Sequence, residues 1–374
     1  MSLERRIELI EKKASRVEEE ITTHDFQIDN EEISDSFKKS IGEVMSKLHK
    51  VRKMRKSLAK KEEKQEEQRL RKQLNIKLDK INQLLKKEIE DHFYLIEMAE
   101  SQKDSEEYKR ASNFIEEVGS QYGIDSDPLM VFKDRYLAYN STSLNEVSKS
   151  VLICPYFEKQ NYLYYPMLVH ELGHTFTYEN ISEVFSEFTE KMADEKEILE
   201  EKELKDERRK GELNHFTSCW DEWKHEFAAD LFAAEILGKA YYTALFYFLN
   251  GDPYDINITH PPHAMRLEAV AKYCGIKDRK LEKMQEEFDK DPRYDSLKRE
   301  NLVEAIGNQI HDLLSDAQSD SDMSVIHAEE AIEDPQENYE TKDIVPLMKG
   351  GWELVEDDHQ IDTVNRSLRQ ALDS

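Results

Sequence analysis

The stretch Tyr162-Leu-Tyr-Tyr-Pro-Met-Leu-Val-His-Glu-Leu-Gly-His-Thr-Phe176 decides how this chain is interpreted, because it joins a helix signal to side chains that can do chemistry. Pro166 suits the first turn of an α-helix, where a backbone N–H would have no partner within the helix. The apolar residues after it predict that the helix continues through the stretch. That helix carries His170, Glu171 and His174.

The spacing of these polar residues indicates a metal site. His170 and His174 are residues i and i+4 of the predicted helix, so their Cβ atoms lie on one face about 5–6 Å apart. Two imidazoles at that spacing can bind one Zn²⁺, each at about 2.0–2.1 Å. Glu171 points to the side of the same face, where it can hold and deprotonate a water molecule. Gly173 costs about 1 kcal/mol relative to alanine within a helix, and its small size would allow close packing there.

A third ligand is needed to support the site, because so short a pattern also arises by chance. The stretch Trp220-Asp-Glu-Trp-Lys-His-Glu-Phe-Ala-Ala-Asp-Leu-Phe-Ala-Ala-Glu-Ile236 has a strong helical pattern. Glu226 within it can supply a carboxylate oxygen to the metal at about 2.0–2.2 Å. Asp230, one turn later, can accept the free ring N–H of a ligand histidine and so set its tautomer and orientation.

A further segment, Thr259-His-Pro-Pro-His-Ala-Met-Arg266, follows the two helices. His260 precedes two prolines, so its backbone is predicted to be extended. Arg266 belongs to the helix that begins after the prolines. Taken alone, this segment is typical of an ordinary loop and helix start.

Taken together, the three segments resemble gluzincin metallopeptidases, most closely the CAAX-prenyl-endopeptidase and heat-shock membrane-peptidase family. That family has His-Glu-x-x-His, then Glu-x-x-x-Asp, then a His-Pro segment followed by an Arg, and the match covers about residues 125–275. The resemblance implies a zincin-like fold and a zinc peptidase. It also implies a role for each matching residue: zinc ligands His170, His174 and Glu226, general base Glu171, orienting Asp230, oxyanion-stabilising His260 and supporting Arg266.

The chain departs from that family in two respects. Its members in membranes have transmembrane helices and this sequence has no apolar run long enough for one, so prenylated or membrane-bound substrates are not implied. A highly charged helix predicted at about 182–209 separates the first two motifs, and it reads either as a lid or as a solvated insertion. The Glu226 segment also resembles the phage-immunity-repressor peptidases, which are soluble gluzincins; the Thr259-His-Pro-Pro segment favours the first family.

Other segments predict the surroundings of the site. The aromatic stretch 131–139 suits a strand or a short helix, and the β-branched run 151–154 suits a strand. The sequon at Asn140 is interpreted as a polar loop. Tyr241 and Tyr242 are expected to be core residues, and Trp220, Trp223, His225 and His263 to be neighbours of the site without a chemical role.

The N-terminal third predicts long helices. Its first apolar positions are spaced alternately three and four residues apart, which is a heptad seam: Leu3, Ile7, Ile10, Ala14, Val17 and Ile21. The pattern resumes at Ile41 and again at Leu70, and no proline occurs before Pro128. We therefore expect a first helix, a short loop and a long second helix. The apolar face of the long second helix would pack against the first helix, against the rest of the chain or against a second copy of the chain. The last case allows a homo-oligomer, and an exposed face would allow a protein partner.

A basic stretch interrupts this region. Residues 47–61 hold eight lysines and arginines and no acidic residue. Such a stretch either docks an acidic partner or forms a solvated helix face that pairs with acidic residues of the same chain. The second interpretation is favoured.

The composition limits the class of partner and the compartment. The 374 residues contain 53 Lys and Arg against 80 Asp and Glu, a net charge of −27. So acidic a chain is not expected to bind nucleic acid or an anionic membrane nonspecifically. Its 3 cysteines suggest no disulfide framework, and its first residues have no apolar signal segment, so a soluble cytoplasmic protein with buried thiols is expected.

The predicted fold class is α+β and predominantly α. We expect a coiled-coil-like helical arm over residues 1–105, a zincin-like domain with a small sheet over 106–278, and a helical extension over 279–374. Within the extension, residues 315–340 suggest a flexible acidic linker, and 360–372 a final helix with one apolar face.

The predicted function is a soluble zinc endopeptidase that acts on proteins or peptides. The alternative is a coiled-coil interaction or scaffold protein whose zincin domain binds without cleaving. The identity of the substrate and of the metal in vivo, and the oligomeric state, are not readable from these residues.

Overall fold

The computed structural model is predominantly helical with one small sheet, which agrees with the predicted class of α+β, predominantly α. It describes residues 3–23, 30–58, 64–122, 124, 129–133, 140–144, 149–155, 163, 165–206, 209–249, 254, 256–290, 297–317 and 364. Contacts divide the chain into two compact units, one of residues 1–105 with 142–151, and one of residues 106–141 with 152–374.

The first unit is built from helices. They are α1 (Leu3–Thr23), α2 (Asn30–Leu58), α3 (Lys64–Leu84), a π-helical segment (Leu85–Glu90) and α4 (Asp91–Gln102). The first three pack against one another, and the heptad seam of α1 is buried from Ile7 to Ile21. The seam residues Ile41, Val44, Leu48 and Val51 of α2 and Leu74, Leu78 and Ile81 of α3 are buried as well. These apolar stripes are therefore covered by helices of the same chain.

The prediction of a single long second helix is wrong. The described residues form two helices, α2 (Asn30–Leu58) and α3 (Lys64–Leu84), which pack against each other, as one continuous helix could not. Residues 60–69 contain no apolar side chain, so a continuous helix would have had no face to bury along this stretch. Two helices allow both apolar stripes to pack within one small bundle.

The basic stretch of α2 pairs with acidic residues of α1, as the favoured interpretation expected. Arg52 Nη2 lies 2.7 Å from Glu11 Oε2, and Arg55 Nη1 lies 2.6 Å from Glu4 Oε1. Exposed ion pairs of this kind add little to stability, because solvent screens the charges. They therefore orient the helices more than they stabilise them.

A three-stranded sheet has the order β1-β3-β2. Its strands are β1 (Leu129–Lys133), β2 (Asn140–Leu144) and β3 (Lys149–Pro155). Of the stretch 131–139, expected to form a strand or a short helix, residues 131–133 lie in β1 and the rest lie outside the described residues. The strand predicted at 151–154 is confirmed as β3. The loop predicted at Asn140 is wrong, because this polar segment forms β2 beside the central strand, and backbone pairing there outweighs its weak intrinsic preference.

The helices of the second unit surround a core of aromatic and aliphatic side chains. They are α5 (Glu106–Gln121), α6 (Pro166–Glu179), α7 (Ile181–Val184), α8 (Ser186–Lys205), α9 (Glu212–Leu237), α10 (Lys239–Phe248), α11 (His263–Tyr273), α12 (Arg279–Phe288) and α13 (Glu300–Ala317). Helix α9 lies at the centre and packs against α6, α8, α10, α11 and α13. Residues 279–317 thus belong to the same unit as residues 152–278.

The charged insertion between the first two motifs is helix α8. It buries Phe188, Met192 and Leu199 and packs against α9 and α13. The other positions of the helix are largely charged and face solvent, which agrees with its interpretation as a solvated insertion.

Two further findings bear on the sequence predictions. The three cysteines are unpaired, and Cys154 and Cys219 are buried. Across the described part of the chain, every helix is too short or too polar to cross a membrane.

The predicted acidic linker beyond Ala317 and the final helix lie outside the described residues, except for the buried Val364.

Candidate metal centre

Helix α6 presents the two histidines side by side. It begins at Pro166, as predicted, and buries most of its residues, including His170 and Glu171. The imidazole rings of His170 and His174 have their centroids 4.8 Å apart and are nearly perpendicular. This is the arrangement that one helical turn gives to residues i and i+4.

Helix α9 brings Glu226 and Asp230 to the same place. The helix is held by its tryptophans, both fully buried: Trp220 Nε1 donates to the carbonyl of Leu297 at 2.9 Å, and Trp223 Nε1 donates to that of Asn257 at 2.7 Å. The bond to Asn257 also holds the segment that leads to His260. The prediction that the two tryptophans pack beside the site is confirmed.

Gly173 allows α6 and α9 to approach closely. A Cβ atom at this position would lie 2.9 Å from Ala229 Cα, closer than real Cβ atoms come to another atom, and 3.0 Å from Phe232 Cδ1, which is also unusually tight. The expectation that a small residue permits close packing here is confirmed. The absence of a side chain thus sets how near Glu226 comes to the histidines.

We expect Gly173→Ala to lower the free energy of unfolding by about 1–3 kcal/mol, the usual cost of overpacking a core. The neighbour is backbone and cannot move aside, so this cost outweighs the gain in helix propensity. Urea unfolding followed by tryptophan fluorescence measures it, because all three tryptophans lie within residues 152–374.

The matched control is Gly42→Ala in α2, where nothing lies within 4 Å of the added Cβ atom. It should stabilise the protein by about 0.5–1 kcal/mol in urea unfolding followed by far-UV circular dichroism. A Gly173→Ala variant as stable as the parent would contradict the proposed contact.

The nitrogen and oxygen atoms converge as a metal requires. One donor atom from each of His170, His174 and Glu226 lies within 4.8 Å of the other two. Glu226 Oε2 is 3.8 Å from His170 Nε2, and Glu226 Oε1 is 3.5 Å from His174 Nε2. Ligand atoms on one tetrahedral zinc lie about 3.3–3.5 Å apart at ordinary Zn–N and Zn–O bond lengths. The three side chains therefore form a group that could hold a metal ion.

Asp230 is fully buried and holds the groups around His170 in place. Its Oδ1 lies 2.9 Å from His170 Nδ1, which is the contact predicted for an orienting carboxylate. Arg266 donates to it twice, from Nε to Oδ2 at 2.8 Å and from Nη2 to Oδ1 at 2.7 Å. Arg266 Nη1 also lies 3.4 Å from Glu226 Oε2, so one guanidinium contacts both carboxylates of α9.

The pKa shifts follow from burial and from these charges. Burial lowers the pKa of His174 to about 3, which keeps its ring neutral and able to bind a metal. Burial alone would lower the pKa of His170, but the hydrogen bond and charge of Asp230, together with the charge of Glu171, outweigh it and raise that pKa. Burial alone would raise the pKa of Glu226 and of Asp230, but Arg266 and the neighbouring histidine side chains together outweigh it and lower both.

Acidic side chains outnumber the guanidinium at the site. Glu171 and Asp230 are buried and Glu226 is nearly so, and Arg266 is paired with Glu226 and Asp230. A carboxylate taken out of water is costly unless it is paired, hydrogen-bonded or bound to a metal.

His260 lies at the rim of the site. Its side chain is 58% exposed, and its Nε2 is 3.7 Å from Glu226 Oε1. Thr259 Oγ1 lies 2.9 Å from its Nδ1, and Pro261 and Pro262 follow before α11 begins. The ring is thus outside the three-ligand group but beside it.

Tyr241 is a fully buried core residue, as predicted, and its hydroxyl also reaches the site, which was not predicted from the sequence. Its hydroxyl donates to Asp230 Oδ1 at 2.5 Å and lies 3.1 Å from His170 Nδ1. Helix α10 brings it there by turning back after Gly238, which has a positive φ of 57°. One sequence feature could have indicated this contact: a tyrosine hydroxyl in an apolar helix needs a hydrogen-bond partner when it is buried.

The other histidines near the motifs lie elsewhere. His225 is half-buried on α9 with its ring 5.0 Å from that of Phe185. His263 begins α11, on the far side of the two prolines from His260. Neither is in the three-ligand group of the described residues.

Comparison of this chain with family models, with curated proteins and with solved structures found no match. The resemblance to gluzincins therefore rests on the three sequence motifs.

Proposed function

We propose that this chain is a zinc-dependent peptidase whose zinc ligands are His170, His174 and Glu226. The observation that carries the proposal is the convergence of these three donors beside Glu171, which is buried on the same helix. The contact between His170 Nδ1 and Asp230 supports it, because metal-binding histidines commonly donate their second ring nitrogen to a carboxylate.

The donor set suits zinc rather than a hard cation, because two imidazoles and one carboxylate form a three-residue catalytic zinc set. Zinc held in this way supplies an activated water near neutral pH and polarises a substrate carbonyl. Asp230 and Arg266 keep His170 and Glu226 in position for that role.

Glu171 is proposed as the general base. Its carboxylate takes one proton from the attacking water, whose oxygen bonds to the carbonyl carbon of the peptide. The same carboxyl group then gives that proton to the leaving amine as the C–N bond breaks. Its burial keeps the carboxylate close to the reacting atoms and away from bulk water.

His260 is proposed to donate a hydrogen bond to the oxyanion that forms during hydrolysis. Its position beside Glu226 and its exposed ring suit contact with a substrate, as the resemblance implies for this residue. The substrate class is a protein or a peptide, and a cytoplasmic location is part of the proposal, consistent with three unpaired thiols.

Elemental analysis of the purified full chain tests the metal site. We expect about one zinc per chain in the parent, filling the single three-ligand site of the described residues. His174→Ala should lose it, because two ligands bind zinc far more weakly than three. The matched control is His225→Ala, which removes another partly buried histidine and should keep the zinc.

A parent chain without zinc, even after reconstitution, would contradict the peptidase proposal. It would favour the alternative, an interaction or scaffold protein with a zincin-like domain that does not cleave. The helical bundle of α1, α2 and α3 is the feature that such a protein would use, although its seams are covered within the chain.

A further inference from the structure

Tyr241 is the polar group of the site that no motif predicts. It is fully buried on α10, with its ring parallel to that of His170 at a centroid distance of 6.4 Å. Its hydroxyl reaches both Asp230 Oδ1 and His170 Nδ1. A phenylalanine would fill the same space, so packing does not explain the hydroxyl.

The hydroxyl completes the set of donors around Asp230. Oδ1 of this carboxylate is contacted by Tyr241, by Arg266 Nη2 and by His170 Nδ1, while Oδ2 accepts from Arg266 Nε. Arg266 binds both oxygens of the carboxylate from α11. Tyr241 adds a donor to Oδ1 from a different helix, so donors on two separate elements hold this one oxygen in place.

The effect extends to the metal ligand. A fixed Oδ1 holds the hydrogen on His170 Nδ1, which leaves Nε2 with its lone pair directed toward His174 and Glu226. We propose that Tyr241 is a positioning residue that fixes the ring orientation and tautomer of His170 for zinc. This inference rests on the proposed function, because it assumes that His170 is a zinc ligand.

The chain offers a matched control on the same helix. Tyr242, the next residue of α10, is also buried and donates from its hydroxyl to Asp278 Oδ2 at 2.9 Å. Tyr242→Phe removes one hydroxyl–carboxylate hydrogen bond away from the metal centre. Tyr241→Phe removes one that supports it.

The experiment measures zinc affinity of the full chain by competition with a chelating dye, for the parent and both variants. Loss of an outer hydrogen-bond partner of a metal ligand typically costs 10–100-fold in affinity. We therefore expect Tyr241→Phe to bind zinc about 10–100-fold more weakly and Tyr242→Phe to stay within about twofold of the parent. The visible absorption of the Co²⁺-substituted protein should shift for Tyr241→Phe alone, because the ring of one ligand has turned.

The results separate the two proposals. If the parent binds zinc and Tyr241→Phe binds it equally well, the positioning role is overturned and the peptidase proposal stands. If both variants lose affinity to the same extent, the effect is structural and the positioning role is likewise overturned. A parent that binds zinc but cleaves nothing would count against the peptidase alone, since affinity and the cobalt spectrum do not depend on activity. A parent without zinc would overturn both.

Discussion

Glu171→Gln should lower the rate of peptide hydrolysis by about 10²–10⁴-fold, the usual contribution of a general base, while the zinc content stays at that of the parent. Glutamine has the shape of glutamate but cannot take a proton from water. Glu171 is not one of the three converging donors, so its loss leaves the metal ligands in place. The combination of retained zinc and lost activity is what separates a general base from a ligand.

Cleavage of fluorescein-labelled casein by the zinc-loaded parent provides the assay, with elemental analysis of the same samples. Glu179→Gln, near the exposed end of α6, is the matched control and should cleave at the parent rate. The mechanism would be wrong if Glu171→Gln cleaved casein as fast as the parent. Loss of zinc from this variant would instead move Glu171 into the ligand set.

Arg266→Met should lower the free energy of unfolding by about 3–5 kcal/mol, because it leaves a buried carboxylate without its partner. Asp230 is fully buried and accepts two hydrogen bonds from Arg266, and Glu226 lies 3.4 Å from the same guanidinium. Removing one member of a buried pair exposes the desolvation cost of the other. The zinc-free protein is used, so that metal binding does not contribute.

Urea unfolding followed by tryptophan fluorescence measures this effect. Lys205→Met is the control: it removes an exposed ion pair with Glu201 and should change stability by about 0–1 kcal/mol. The double variant Asp230→Asn with Arg266→Met removes both charges and should be less destabilised than Arg266→Met alone. A change below about 1 kcal/mol for Arg266→Met would show that Asp230 does not depend on this partner.

The sequence was most informative where structure is local. The helix from Pro166, the shared face of His170 and His174, and the apolar seams of α1 to α3 all depend on residues a few positions apart, and the structure contains each of them. Helical periodicity alone decides such neighbours, because residues three and four apart meet in any α-helix. The two strands predicted from β-branched and aromatic runs also follow from local preference.

Local rules failed where a distant element decided the outcome. The absence of proline suggested one continuous second helix, but α2 and α3 are two helices that pack their apolar stripes against each other. The segment at Asn140 forms a strand because a neighbouring strand offers backbone hydrogen bonds, and polar composition alone does not reveal that neighbour.

By itself, then, the sequence determined which side chains are chemically competent and on which helix each would lie. Tertiary structure alone decided that Glu226 reaches the histidines, that Gly173 must be small, and that Tyr241 and Arg266 meet on Asp230. The physical reason is the range of the interactions. Periodicity fixes the face of a helix, but only the packing of helices far apart in sequence brings those faces within hydrogen-bond distance.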